Sequence, residues 1–243
     1  MNTKDTFFSH LLELRNRLLK IIAGLVVVML ALMPFANDIY IFLATPLMQS
    51  LPEGGQMIAT EVTTPFFVPL KVVLLAAFII SAPHTLYQLW AFIAPGLYSN
   101  EKHLIAPLVI TSVILFLCGM AFAYFLVFPV VFGFITSTTP DGVAVMTDIG
   151  KYLDFIIGLF IAFSLAFETP VAVVLMVTAG IVSITDLREA RSYVIVGAFV
   201  IGAIITPPDI ISQFMLAIPM WLLYEAGIVV AGMMQKQVQQ YEN

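Results

Sequence analysis

Six long apolar stretches run through this chain, and its charged residues sit almost entirely between them. The stretches cover residues 18–35, 67–90, 107–128, 152–177, 193–205 and 211–232. Of the 243 residues, 61% are hydrophobic and 10% charged, too few charges to clothe a water-soluble domain of this size. Lipid is therefore the expected solvent. A helix needs ~20 apolar residues to cross a ~30 Å hydrocarbon core. The stretches are continuous rather than alternating, which favours helices over a β-barrel. The expectation is an all-α integral membrane protein: a single polytopic domain over residues 1–243 with six transmembrane helices, of which helices 5 and 6 are short. Residues 193–205 rise only ~20 Å as a helix.

The basic residues give an independent reading. With an even number of crossings, Lys4, Arg15, Arg17, Lys20, Lys102, Arg188, Arg191 and Lys236 all fall on one side, and Lys71 and Lys151 on the other. The positive-inside rule then puts both termini in the cytoplasm. Residues 1–17 are polar and of mixed charge, and no small-x-small cleavage site follows, so the first apolar run reads as an uncleaved anchor. Residues 36–65 form the first outer loop, long enough to fold back as an outer cap with a short helix of its own. Residues 129–151 form the second outer loop, with a turn signal at Pro140-Asp141-Gly142. Residues 180–191 are a cytoplasmic connection with Thr185 as N-cap, and Pro207-Pro208 make a tight outer turn. Pro69, Pro83, Pro129, Pro170 and Pro219 lie at membrane depth or helix ends and bend helices, which suits a curved, concave helical wall.

Four places carry chemistry. In the run from His10 to Arg17, Glu13 and Arg17 are four apart and can pair on one helix face. The alternative is an acid offered to a cationic ligand near the membrane surface. The run from Gln88 to Lys102 is aromatic-rich; Pro95-Gly96 breaks the helix, Phe92 offers an apolar contact and Glu101 an acid. Glu168 lies deep in the fourth stretch, where a charged carboxylate costs ~2.5–3.5 kcal/mol on insertion scales and is by default a functional candidate. Asp209 is placed to cap the last helix, and Gln213 lies one turn inside it. Enzyme motifs are missing, and His10, His84 and His103 lack metal-ligand spacing. Cys118 is the single cysteine, so no internal disulfide forms. No cofactor, metal or nucleic-acid site is expected.

At these residues the chain resembles the TatC family, the multispanning subunits of the twin-arginine protein translocase, along essentially its whole length. The matching segments are HLLELRNR (10–17), SAPHTLYQLWAFIAPGLY (81–98) with Glu101, GMAFAYFLVFPVVFG (119–133), FETP (167–170) and GAFVIGAIITPPDIISQ (197–213). The resemblance implies a non-enzymatic receptor in the bacterial inner membrane for signal peptides bearing consecutive arginines. It implies that Glu13 and Glu101 bind the arginine pair, with Arg15 essential and Phe92 at the interface. It further implies an intramembrane role for Glu168, polar positions at Asp209 and Gln213, and outer-cap positions at Pro46 and Phe66. The partners implied are the single-span proteins TatA and TatB, membrane lipid and further copies of the receptor, with folded cargo moved by the proton-motive force. The alternative reading is a proton-coupled small-solute transporter using Glu168, which needs paired repeats that the two halves do not show.

Overall fold

The structure is a computed structural model that describes residues 3–50, 56–97, 105–137, 146–205 and 210–242. It is almost wholly helical. Helix α1 (Thr3–Leu32) passes through a 3-10 turn at Met33–Phe35 into α2 (Ala36–Ser50). Strand β1 (Gln56–Ile58) and α3 (Thr64–Leu97) follow. Helix α4 (Ile105–Phe122) then runs through a π-helical turn (Ala123–Val127) into α5 (Phe128–Ser137). After β2 (Met146–Asp148) come α6 (Ile149–Phe167), α7 (Thr169–Thr178), α8 (Ile184–Glu189), α9 (Arg191–Ile205) and α10 (Ile210–Glu242).

Among the described residues, five helical segments are long and apolar enough to cross a membrane: His10–Gln49, Thr64–Ile93, Ala106–Ser137, Ile149–Thr178 and Gln213–Gln235. The remaining apolar helix, α9, has 15 residues and rises about 22 Å, short of a full hydrocarbon core. The expectation of a short helix at 193–205 therefore stands. The last helix corrects its companion expectation: α10 has 33 residues and is not short. Its apolar stretch leads into Gln-, Lys- and Glu-rich sequence, all good helix formers, so the helix runs on.

Other boundaries move for local reasons. The third stretch does not end at Phe128. Pro129 has no N–H to give Phe125, and the π-helical turn at Ala123–Val127 absorbs the lost bond and the ring's bulk, so helix continues to Ser137. The connection expected over residues 36–65 carries the helix α2, with Pro46 inside it. Helix α3 ends at Leu97, just past Pro95-Gly96. Ser183, not Thr185, caps α8: the Asp186 amide donates to Ser183 Oγ at 3.1 Å, and the Ser183 amide donates to Asp186 Oδ2 at 3.0 Å, a reciprocal capping box.

Contacts group the chain into two compact units, Met1–Phe42 with Phe66–Ile114, and Leu43–Pro65 with Leu115–Asn243. In the first, α1 and α3 run antiparallel, and the buried Trp90 indole donates to Ser112 Oγ at 2.8 Å, which satisfies two polar groups that lipid cannot. In the second, a run of aromatic rings (Phe122, Phe128 and Phe132) meets Phe163, Phe160 and Tyr152 of α6 at centroid distances of 5.0–5.5 Å. Gly119 allows α4 to approach α6 closely; a Cβ there would lie 2.6 Å from the Phe163 carbonyl oxygen. Gly227 does the same for α10 against α7, where a Cβ would lie 2.9 Å from Pro170 Cα. Tyr152 donates to the Leu43 carbonyl at 2.6 Å, anchoring the buried end of α2 on α6.

Candidate functional site

The first site is a stripe on α1. His10, Glu13, Arg17, Lys20 and Gly24 recur at three- and four-residue steps, which puts them on one helix face. The opposing face of α3 presents His84, Gln88 and Phe92, four residues apart. The His10 ring stacks on Phe92 at 4.4 Å between centroids. Arg17 NH1 lies 3.4 Å from Gln88 Oε1. The Lys20 carbonyl oxygen lies 3.1 Å from His84 Nε2, and Gly24 leaves room for the His84 ring. The contacts climb α1 as they descend α3.

Glu13 is held by the partner its spacing foretold. Arg17 donates to Glu13 Oε1 through Nε at 2.9 Å and NH2 at 2.6 Å. Arg15, two residues from Glu13, is exposed on a different face. Phe92 is half-buried under His10. The structure thus brings Glu13 and Phe92 onto one α1–α3 face through Arg17, Gln88 and His10. Glu101 lies outside the described residues. The links to Gln88 and His10 depend on contact between helices far apart in sequence; their one sequence signal is the four-residue spacing of His84, Gln88 and Phe92.

Glu168 sits at a break within the fourth apolar segment. It closes α6 and precedes α7, with φ −75° and ψ −11°; its amide donates to the Leu165 carbonyl at 3.1 Å. Pro170 opens α7, in the first turn where a missing N–H costs nothing. The acid is therefore placed where helical bonding is interrupted, and both carboxyl oxygens are screened from the surface. Gln213 is half-buried near the start of α10, where a Cβ built on Gly202 of α9 would stand 3.6 Å from its Cα, ordinary contact. Asp209 lies outside the described residues. Pro46 lies inside α2, and Phe66, 72% exposed near the start of α3, makes an edge contact with Phe67.

Two further polar clusters appear at segment ends. Strands β1 and β2 pair in parallel, Ile58 opposite Asp148, and join two connecting segments that are far apart in sequence. Asp148 then accepts from the Thr60 amide at 2.9 Å, the Thr60 hydroxyl at 2.6 Å and the Lys151 amide at 2.9 Å, capping α6. The Thr60 hydroxyl first, then the amides of Lys151 and Thr60, hold this carboxyl down at about 2. Beyond α7, Gly180 takes φ 68°, and the Ile181 and Gly180 amides donate to the Met176 and Val177 carbonyls, a Schellman ending. There Tyr224 donates to the Leu187 carbonyl at 2.7 Å and Arg191 forks onto Glu225 at 2.6 and 2.7 Å, tying α8 and α9 to α10. The Ser183 hydroxyl, aided by its amide, lowers the Asp186 carboxyl in the same cluster.

The family model described as Sec-independent protein translocase protein (TatC) matches residues 9–219, most of the chain. The chain belongs to the TatC family. It is 53% identical over 230 residues to the Sec-independent protein translocase protein TatC of Escherichia coli strain K12, a match covering 94% of this chain and 89% of that one. The TatC of Haemophilus influenzae is 53% identical over 235 residues, covering 97% and 92%. That of Aquifex aeolicus is 40% identical over 222 residues, covering 90% and 91%. A crystal structure of the twin arginine translocase receptor TatC is similar at a TM-score of 0.80 and 38% identity, covering 92% of this chain and 98% of that one. Family and apolar helices together make this a multi-pass bacterial membrane protein of the protein-transport machinery. The reading as a small-solute transporter finds no support among these relatives.

Proposed function

We propose that this chain is the receptor subunit of a twin-arginine translocase, binding signal peptides with consecutive arginines at its cytoplasmic face. Glu13 and Glu101 receive the two guanidinium groups, Arg15 supports the site, and Phe92 receives the apolar residues that follow. The observation that carries the reading is the α1–α3 stripe, which sets the carboxylate of Glu13 beside an arginine and one turn from an aromatic ring. A guanidinium pairs with carboxylate through a planar fork that an ammonium lacks, so carboxylates on a basic face favour Arg-Arg over Lys-Lys.

In this reading six helices cross the inner membrane, with α9 as the short fifth crossing and both termini cytoplasmic. Pro46 and Phe66 belong to the outer cap. Glu168, Asp209 and Gln213 serve the steps after recognition, in which TatA and TatB dock, receptor copies associate, and the proton-motive force drives folded cargo across. The chain performs no bond-making chemistry of its own. The placement of Glu168 at a helix break within the fourth apolar segment supports a role at membrane depth rather than in first contact with the peptide. The test is site-specific crosslinking of a twin-arginine precursor to membranes carrying the full chain. Glu13→Ala combined with Glu101→Ala is expected to lose capture; wild-type capture in that double variant would reject the assignment.

A further inference from the structure

Glu13 is already occupied by a cation of its own chain. Two nitrogens of Arg17 converge on one oxygen, Oε1, while the third reaches toward Gln88 Oε1 at 3.4 Å. Among the described residues, Glu13 Oε2 takes no hydrogen bond from a side chain. The pair is only partly shielded: the Arg17 side chain is 21% exposed and that of Glu13 41%. Gln88, by contrast, is buried. A pair this open to solvent is weak, and a guanidinium that leaves it needs somewhere to go. The buried amide oxygen of Gln88 lies within reach and carries no charge to compete for.

We propose that Arg17 is a resident occupant of the arginine site, displaced onto Gln88 when an incoming guanidinium takes Glu13. Capture is then an exchange rather than a simple addition. Arg17 sets the threshold a ligand must exceed, and Gln88 lowers the free-energy cost of the exchange by holding the displaced group. A lone lysine gains little from Glu13 after evicting a forked arginine, whereas a peptide offering two guanidiniums recovers the loss at a second acid. This inference rests on Glu13 being an arginine-binding acid.

The test is a fluorescence-anisotropy titration of the full chain in nanodiscs with a synthetic peptide carrying Arg-Arg. Removing the occupant with Arg17→Gln should tighten binding about two- to fivefold, the factor set by a surface ion pair of roughly 0.4–1 kcal/mol. Lys20→Gln removes an equal charge one turn away and serves as the control for long-range attraction. Arg17→Lys keeps a cation but loses the fork, and should fall between wild type and Arg17→Gln. Gln88→Leu should weaken binding, with Gln88→Met as a second replacement should the first fold poorly. With Arg17 gone the landing place no longer matters, so the double variant should match Arg17→Gln alone. The exchange is overturned if Arg17→Gln binds no tighter than Lys20→Gln, or if the two single effects add. Glu13→Gln separates the levels: loss of binding there with an inert Arg17 refutes the exchange alone, whereas unchanged binding refutes the assignment of Glu13 itself.

Discussion

Gly119 offers the sharpest test of the packing. A Cβ at this position would stand 2.6 Å from the Phe163 carbonyl oxygen and 3.1 Å from Phe167 Cβ. Ordinary contact begins near 3.4 Å, so Gly119→Ala intrudes by about 0.8 Å on a backbone atom that has no rotamer to escape into. Helices α4 and α6 must separate, disturbing the contacts of Phe122 with Phe163 and Phe167. Because the clash is with backbone, the overpacking cost falls in the upper half of its usual range, roughly 2–3 kcal/mol, and the ~1 kcal/mol that alanine gains over glycine in a helix leaves a net loss of roughly 1–2 kcal/mol. At ~2–4 °C per kcal/mol for a chain of this size, the apparent melting temperature should fall by roughly 2–8 °C. Gly158→Ala in α6 is the matched control, since a Cβ there meets nothing within 4 Å. Both variants and wild type would be heated at one scan rate in one detergent and followed by fluorescence size-exclusion, because membrane-protein unfolding is commonly rate-governed. A Gly119→Ala protein that melts with wild type would refute the close approach of these helices.

The Asp148 clasp predicts a pH window. Its carboxyl is held below the ordinary aspartate value of 3.8, so its contribution is fully present above that value and is lost as pH falls through about 2. A spin-label pair on the two connecting segments should keep its distance from neutral pH down to about pH 4 and lose it below; separation already at pH 6 would contradict this. Tyr224→Phe removes the hydroxyl that satisfies the Leu187 carbonyl and should cost about 1 kcal/mol, read as a lower melting temperature. Glu168→Ala should leave peptide crosslinking to the receptor largely intact while impairing export of folded cargo; normal export would count against its role.

Much of the fold could be read from the apolar runs, because lipid leaves the backbone few alternatives to helix. The Glu13–Arg17 pair followed from a four-residue spacing alone. What could not be read depended on long-range contact or on local accommodation. Pro129 reads as a stop, yet one π-helical turn carries the helix past it. Strands of three residues, 56–58 and 146–148, are too short to signal themselves, and only their pairing makes Asp148 a clasp. Thr185 and Ser183 are both acceptable caps by residue type, and the position of Asp186 decides between them. Gln88 and His10 became site residues only once the antiparallel register of α1 and α3 was known.

In the proposed function, carboxylates on this chain select an arginine pair. The direct measurement is the affinity of the full chain for matched signal peptides bearing Arg-Arg or Lys-Lys, in wild type and in the variant combining Glu13→Ala and Glu101→Ala. Clearly tighter binding of Arg-Arg by wild type is expected, with collapse of that preference in the double variant. Equal affinity for the two peptides, or a preference that survives loss of both acids, would contradict it.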